Sequence, residues 1–177
     1  GTVLACVAGS KSVLLVEHDC VWSKTGQQLD FAEADEAEIS TLSDFKDADM
    51  HSKSRRSSRH YGVRTISLND MLESLRAAEI DYLSIDTEGS ELEILRSLDF
   101  NKYHFKAITC EHNHTASRAL IHDLLSGAGY VRKFTELSDF DDWYVSADLS
   151  GLQPALRSKV AGVDAAVRLE PARRRHD

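Results

Sequence analysis

Ile80-Asp81-Tyr82-Leu83-Ser84-Ile85-Asp86-Thr87-Glu88-Gly89-Ser90-Glu91 packs a strand, a turn and a helix start into twelve residues. Residues 82–86 form a short apolar run that reads as a strand. Ser90 with Glu93 is a capping box, and Leu92, Leu95 and Leu98 then recur at helical spacing, so a helix starts at Ser90. A strand that ends on an acid, turns and enters a helix is one unit of a parallel sheet. Upstream, Ser67 with Asp70 makes another capping box, with Ile66 and Met71 as hydrophobic staple, and predicts a helix to about Ala78. Downstream, residues 105–110 read as the next strand and 115–126 as the next helix, with Gly127 and Gly129 to stop it. Residues 130–134 and 143–147 read as strands joined by an acidic turn too short for a crossover helix, so they run antiparallel. The fold class is therefore α/β: a doubly wound, mostly parallel sheet closed by an antiparallel strand pair.

The flanks are less regular. Residues 2–7 and 13–17 read as two strands joined by a tight turn. From 19 to 61 periodicity disappears: eight acids and one base lie between Asp30 and Asp49, followed by four bases and four serines in 51–60. Such a block reads as a long solvated loop, a surface excursion able to serve as a lid. At the other end, Leu152, Leu156, Val160, Val163 and Val167 predict an amphipathic helix over 154–169, followed by a basic tail. The chain thus divides into an α/β domain over 1–148 and a helical extension over 149–177.

With 177 residues and 42% apolar side chains, the chain has the size and composition of one globular domain. Its net charge of -8 argues against nucleic acid, whose binding rests on Lys and Arg neutralising phosphates. No apolar run approaches the roughly 20 residues of a membrane span. Cys6, Cys20 and Cys110 are odd in number and lack C-x-x-C spacing, which fits a reducing compartment. A cytoplasmic protein with no membrane partner is expected.

In open α/β sheets ligands bind beyond the carboxyl ends of the strands. Two polar clusters fall there, Asp86-Thr87-Glu88-Gly89 and Glu111-His112-Asn113-His114. If their strands are neighbours, they converge on one acidic mouth, which favours a cation: a divalent metal or an organic sulfonium. No H-x-x-x-H or comparable spacing fixes a metal geometry, so none is expected. Ordinary structural roles account for much of the rest. Glu91 and Glu93 suit the first turn of a helix through its dipole. His104, His114 and His122 read as surface residues, and Trp143 and Tyr144 as core. No G-x-S-x-G accompanies the serines of 52–58.

Val63-Arg64-Thr65-Ile66-Ser67-Leu68-Asn69-Asp70-Met71-Leu72, the stretch 80–91, and Ile108-Thr109-Cys110-Glu111-His112-Asn113 resemble successive motifs of the FkbM family of S-adenosylmethionine-dependent methyltransferases. The Trp143-Tyr144-Val145 strand resembles that family's ending. The resemblance implies a class I methyltransferase fold and methyl transfer from S-adenosylmethionine, commonly to a hydroxyl of a small molecule or glycan. It places Asp86 nearest cofactor and acceptor, with Ala5, Cys6 and Thr87 also at the cofactor. His112, with an unperturbed pKa of about 6.5, is the better-suited general base, with Glu88 or Glu111 orienting His112 or the acceptor; the resemblance does not fix which of these does what.

No D-x-G-x-N-x-G or G-x-G-x-x-G occurs in the sequence, so against the family pattern the chain corresponds to a carboxyl-terminal portion lacking the first strands. Weak cofactor binding by the isolated monomer, and self-association through an uncovered sheet edge, are the resulting expectations. Two rival functions are a non-catalytic binding or assembly module and a metal-dependent hydrolase using Asp86, Glu111 and His112.

Overall fold

The computed structural model describes residues 3–8, 11–16, 19–36, 39–47 and 50–150. In chain order the elements are β1 (Val3–Ala8), β2 (Lys11–Val16), β3 (Cys20–Trp22), β4 (Gln28–Glu33), β5 (Thr41–Leu42), β6 (Arg59–Ser67), α1 (Leu68–Ser74), β7 (Glu79–Ile85), α2 (Glu91–Ser97), β8 (His104–Glu111), α3 (Ser117–Gly127), β9 (Tyr130–Lys133), β10 (Asp141–Ser146) and α4 (Ala147–Ser150). Short 3-10 turns cover Ser43–Phe45 and Met50–Ser57. The helix expected at 154–169 and the basic tail lie outside the described residues.

The strands form three groups, β1-β2, β7-β8-β10-β9 and β3-β6-β4-β5. The mostly parallel, doubly wound sheet expected from the sequence is corrected to mixed sheets. Among the described residues β7–β8 and β3–β6 are parallel, and the remaining ladders are antiparallel. Connection length is the reason for part of this. Only helical crossovers return a strand in parallel, and the β9–β10 link holds no helix.

Residues 19–61 also differ from the loop expected there. Gln28 to Glu33 pair with Arg64 to Arg59, so a strand and its partner some thirty residues away use the charged stretch as a ladder. Gln28-Leu29-Asp30-Phe31 does alternate polar with apolar, the one local sign of a strand in this segment.

The helix starts follow their caps more closely than the ends do. The Ser67 hydroxyl accepts the Asp70 N–H at 3.1 Å, as its capping box predicts. The helix stops at Ser74 rather than near Ala78, because Arg76 turns left-handed at φ 53°. The Ala77 N–H then reaches the Leu72 carbonyl at 3.1 Å and the Arg76 N–H the Glu73 carbonyl at 3.0 Å, a Schellman-type end.

One face of the four-stranded β7-β8-β10-β9 sheet builds the core. Leu83, Ile85, Ile108, Cys110 and Tyr144 point to it, and Ile94 and Leu95 of α2 with Ile121 and Leu125 of α3 pack into the same cluster. Side chains alternate along a strand, so the next residues face the other way. Tyr144 is buried in the core, as expected, but its neighbour Trp143 is 44% exposed on the opposite face, where Tyr82 is also exposed. That open face carries the site.

Candidate functional site

Strand register brings the acids together. Ile85 pairs with Cys110 across the parallel β7–β8 ladder, so Asp86 comes level with Glu111, and Glu111 in turn pairs with Asp141 of β10. Three acids thus lie side by side across adjacent strands on the open face. Glu88 joins them from the turn: one carboxylate oxygen each of Asp86, Glu88 and Glu111 lies within 4.8 Å of the other two. The two polar clusters read from the sequence do meet at one acidic mouth.

Glu88 adopts φ 58°, a conformation that β-carbon crowding makes unfavourable for a non-glycine residue. Contacts from two other segments hold it there. The Thr41 hydroxyl donates to the Glu88 carbonyl at 2.8 Å, and the buried Arg55 guanidinium donates to Glu88 Oε2 at 2.7 Å. Arg55 also donates to the carbonyls of Ile39 and Lys46. The charged stretch thus supplies a buried counter-ion for the mouth, which no local pattern around Arg55 announced.

The turn itself is cinched by Glu91. Its carboxylate accepts the Thr87 N–H at 2.8 Å, the Thr87 hydroxyl at 2.9 Å and the Gly89 N–H at 3.1 Å. Ser90 donates to the Thr87 hydroxyl at 2.8 Å instead of capping α2. The capping box read from Ser90 and Glu93 does not form. Glu93 pairs with Arg96 on the surface, and Glu91, assigned from sequence to the helix dipole, is a buried turn-former. Thr87 commits both its donors to that carboxylate.

Electrostatics single out Glu111. Burial, then the charges of Asp86, Glu88 and Glu91, push its carboxyl up to about 9, so it carries a proton at neutral pH. Its Oε2 is sealed from solvent and has no hydrogen-bond partner. Burial, followed by the Asp86 and Asp142 charges, also raises Asp141. Like charges gathered at one mouth thus act with burial to raise a carboxyl of the group, Glu111.

His112 sits elsewhere, in the buried cluster on the core side of β8. Its Nδ1 accepts the His114 N–H at 3.0 Å, which leaves the ring proton on Nε2, 3.7 Å from Asp142 Oδ1. Burial, then the Arg118 charge, lowers its pKa. Burial pushes Asp142 up as well, but hydrogen bonds from Arg118 at 2.8 and 3.0 Å and the charges of Arg118 and Arg132 outweigh it and hold the carboxyl below its usual range. The imidazole expected to act as general base is only 3% exposed, with its lone pair engaged by backbone. It orders the 112–115 turn, in which Asn113 and His114 have positive φ.

Ala5 and Cys6 lie in β1, paired with Leu14 and Val13 of β2, and β1 runs beside β7. Sequence reasoning missed Arg55, Asp141 and Asp142 as parts of this end of the molecule. Asp141 and Asp142 were visible as an acidic turn, but only the β8–β10 register shows which acid faces which side.

Residues 3–143 match the model of the methyltransferase FkbM domain, and the chain belongs to that family. All three motif stretches quoted from the sequence fall inside the match. No curated protein and no solved structure matches the chain. Membership implies a methyl donor. Among the described residues no helix is long and apolar enough to cross a membrane.

Proposed function

We propose that this chain transfers a methyl group from S-adenosylmethionine to a hydroxyl of a small molecule or sugar at the mouth formed by Asp86, Glu88, Glu111 and Asp141. The observation carrying this reading is the row of acids level across β7, β8 and β10 in a chain of the FkbM family. The donor set fits the cofactor's cationic portion. Carboxylate oxygens complement a sulfonium and accept hydrogen bonds from hydroxyls, and Glu111 Oε2 has no donor of its own. When bound, S-adenosylmethionine supplies an electrophilic methyl carbon.

The protein's part is orientation and proton handling. Asp86 is exposed at the strand end and accepts the proton of the acceptor hydroxyl. Glu88, fixed by Arg55 and Thr41, and the turn cinched by Glu91 hold Asp86 in place, the kind of positioning that supplies up to about 7–11 kcal/mol of a barrier. A neutral acceptor suits this mouth, since an anionic one would meet like charge.

The test is transfer of a labelled methyl group from millimolar S-adenosylmethionine to a panel of sugars and small alcohols. Transfer is expected, and Asp86→Asn should reduce it by roughly 10²- to 10⁴-fold, the usual contribution of a general base. Absence of transfer together with absence of calorimetric donor binding refutes the reading. A non-catalytic binding module is the second reading, supported by Tyr82, Trp143 and Phe134, which are 49%, 44% and 50% exposed. It predicts saturable ligand capture without label transfer.

A further inference from the structure

Acids grouped at a surface are common and signify little. The mouth adds a different observation: Glu111, only 9% exposed, aims a carboxylate into the group with one oxygen sealed from water and without any donor. A buried acceptor left unsatisfied costs about 1–3 kcal/mol, and more when charged. Glu88 has Arg55 as counter-ion and a long amide contact from Asn113 at 3.5 Å, but no cationic side chain among the described residues forms an ion pair with Asp86 or Glu111. A proton can sit on one carboxyl at a time. A cation placed among them meets the Glu111 oxygen and the Asp86 charge at once.

We propose that Asp86, Glu88 and Glu111 bind a hard divalent cation, with Ca²⁺ the best fit. All three donors are carboxylate oxygens, the ligand type such ions take. Oxygens bound to one ion are separated by at most twice the metal–oxygen distance, about 4.6–5.2 Å for Ca²⁺ and about 4.2 Å for Mg²⁺. The three carboxylate oxygens lie close enough together to share one ion. Ca²⁺ takes such oxygens in flexible geometry, whereas Mg²⁺ demands a near-ideal octahedron and gives up its water reluctantly. Three protein ligands fill only part of a shell of six to eight oxygens, which leaves positions for water or a hydroxyl-bearing molecule.

The site shares Asp86, Glu88 and Glu111 with the mouth proposed for methyl transfer, and its test contains no methyl donor, so its failure and the failure of that reading are distinguishable. The full chain, stripped with chelator and dialysed, is titrated with CaCl₂ and separately with MgCl₂ by calorimetry, with thermal unfolding in parallel. One-to-one Ca²⁺ binding is expected with a Kd on the order of 10⁻⁴ M, the range of weakly charged calcium modules, accompanied by a rise in Tm and weaker Mg²⁺ binding. Glu111→Gln should weaken Ca²⁺ at least about tenfold, since even outer-shell changes cost that much. Asp139→Asn, an exposed acid outside the group, should leave it unchanged. Circular dichroism checks that each variant is folded, and Asp86→Asn supplies an independent loss at the same site. No heat and no Tm shift up to the order of 10 mM Ca²⁺, beyond the weakest calcium modules, overturns the proposal. Undiminished binding in both Glu111→Gln and Asp86→Asn overturns it as well, because the ion then sits elsewhere.

Discussion

Replacing Arg55 by Met keeps a long side chain and removes the charge facing Glu88. The guanidinium is fully buried, 2.7 Å from a carboxylate whose side chain is 10% exposed. At an effective dielectric of 20, two unit charges about 4 Å apart attract by roughly 4 kcal/mol. That gross figure is offset by desolvation in the intact pair, but truncating one partner leaves the other charge buried, and such changes cost about 3–5 kcal/mol. The carbonyl of Ile39 loses its donor at the same time. Arg55→Met should therefore destabilise by about 4 kcal/mol, which for a chain of this size lowers Tm by roughly 8–16 °C. Arg55→Lys, which keeps charge but not the fork of donors, should cost less. Adding Glu88→Gln to Arg55→Met should recover much of the loss, because the orphaned charge is gone. Thermal and urea unfolding of the four proteins measure this. A Tm drop under about 2 °C for Arg55→Met would place the pair with surface ion pairs worth at most about 1 kcal/mol. A double variant as unstable as the sum of the singles would equally refute the coupling.

Three further outcomes are expected. Glu111→Gln should stabilise chelator-treated protein: the folded carboxyl sits near 9 against an ordinary 4.5, so the wild-type penalty grows by about 1.4 kcal/mol per pH unit above 4.5. The gain is about 3 kcal/mol at pH 7 and fades toward pH 4.5, and urea midpoints showing a pH-independent difference would contradict it. Asp142→Asn, which removes the charge bonded by Arg118 and Arg132, should cost about 2–3 kcal/mol in the same assay, with a cost below about 0.5 kcal/mol counting against a structural clamp. Ser67→Ala should cost about 1 kcal/mol through the lost N-cap, while Ser67→Thr should retain most of the stability.

Local signals in the sequence read well wherever structure is made locally. The Ser67 cap, the strands of 82–86 and 105–110, and the closing antiparallel pair all depend on residues a few positions apart, and all formed within a few residues of the expected bounds. The convergence of Asp86 and Glu111 was legible too, because consecutive parallel strands commonly lie side by side. What the sequence hid was set by distant partners. The ladder between β4 and β6, and the Arg55–Glu88 pair 33 positions apart, join segments that each look like solvated charge when read alone. The side of the pleat decides two placements that residue type does not: Trp143, read as core, lies 44% exposed, and His112, expected as base, lies buried at 3%. Glu111 and Trp143 face the open side, and His112, Asp142 and Tyr144 the buried one.

The mouth is also where the fold departs most from local comfort, and the departures explain one another. Glu88, Asn113 and His114 all take positive φ, at roughly 1–2 kcal/mol for each left-handed non-glycine residue. Such residues persist only when their surroundings over-determine them. Here the surroundings are specific: Thr41 and Arg55 grip Glu88, His112 Nδ1 takes the His114 N–H, and the His112 N–H reaches the Phe140 carbonyl at 2.8 Å. Two of the three buried polar atoms without partners among the described residues, Glu111 Oε2 and His112 Nε2, adjoin these same turns. A chain selected for stability alone would place glycine at the left-handed positions and a neutral side chain at Glu111, changes that each relieve a named penalty. With these contacts in place, the turns after β7 and β8 are held in one presentation. That presentation is a set of carboxylate oxygens gathered at one end of the sheet, and it depends on a counter-ion lent by the 39–57 segment.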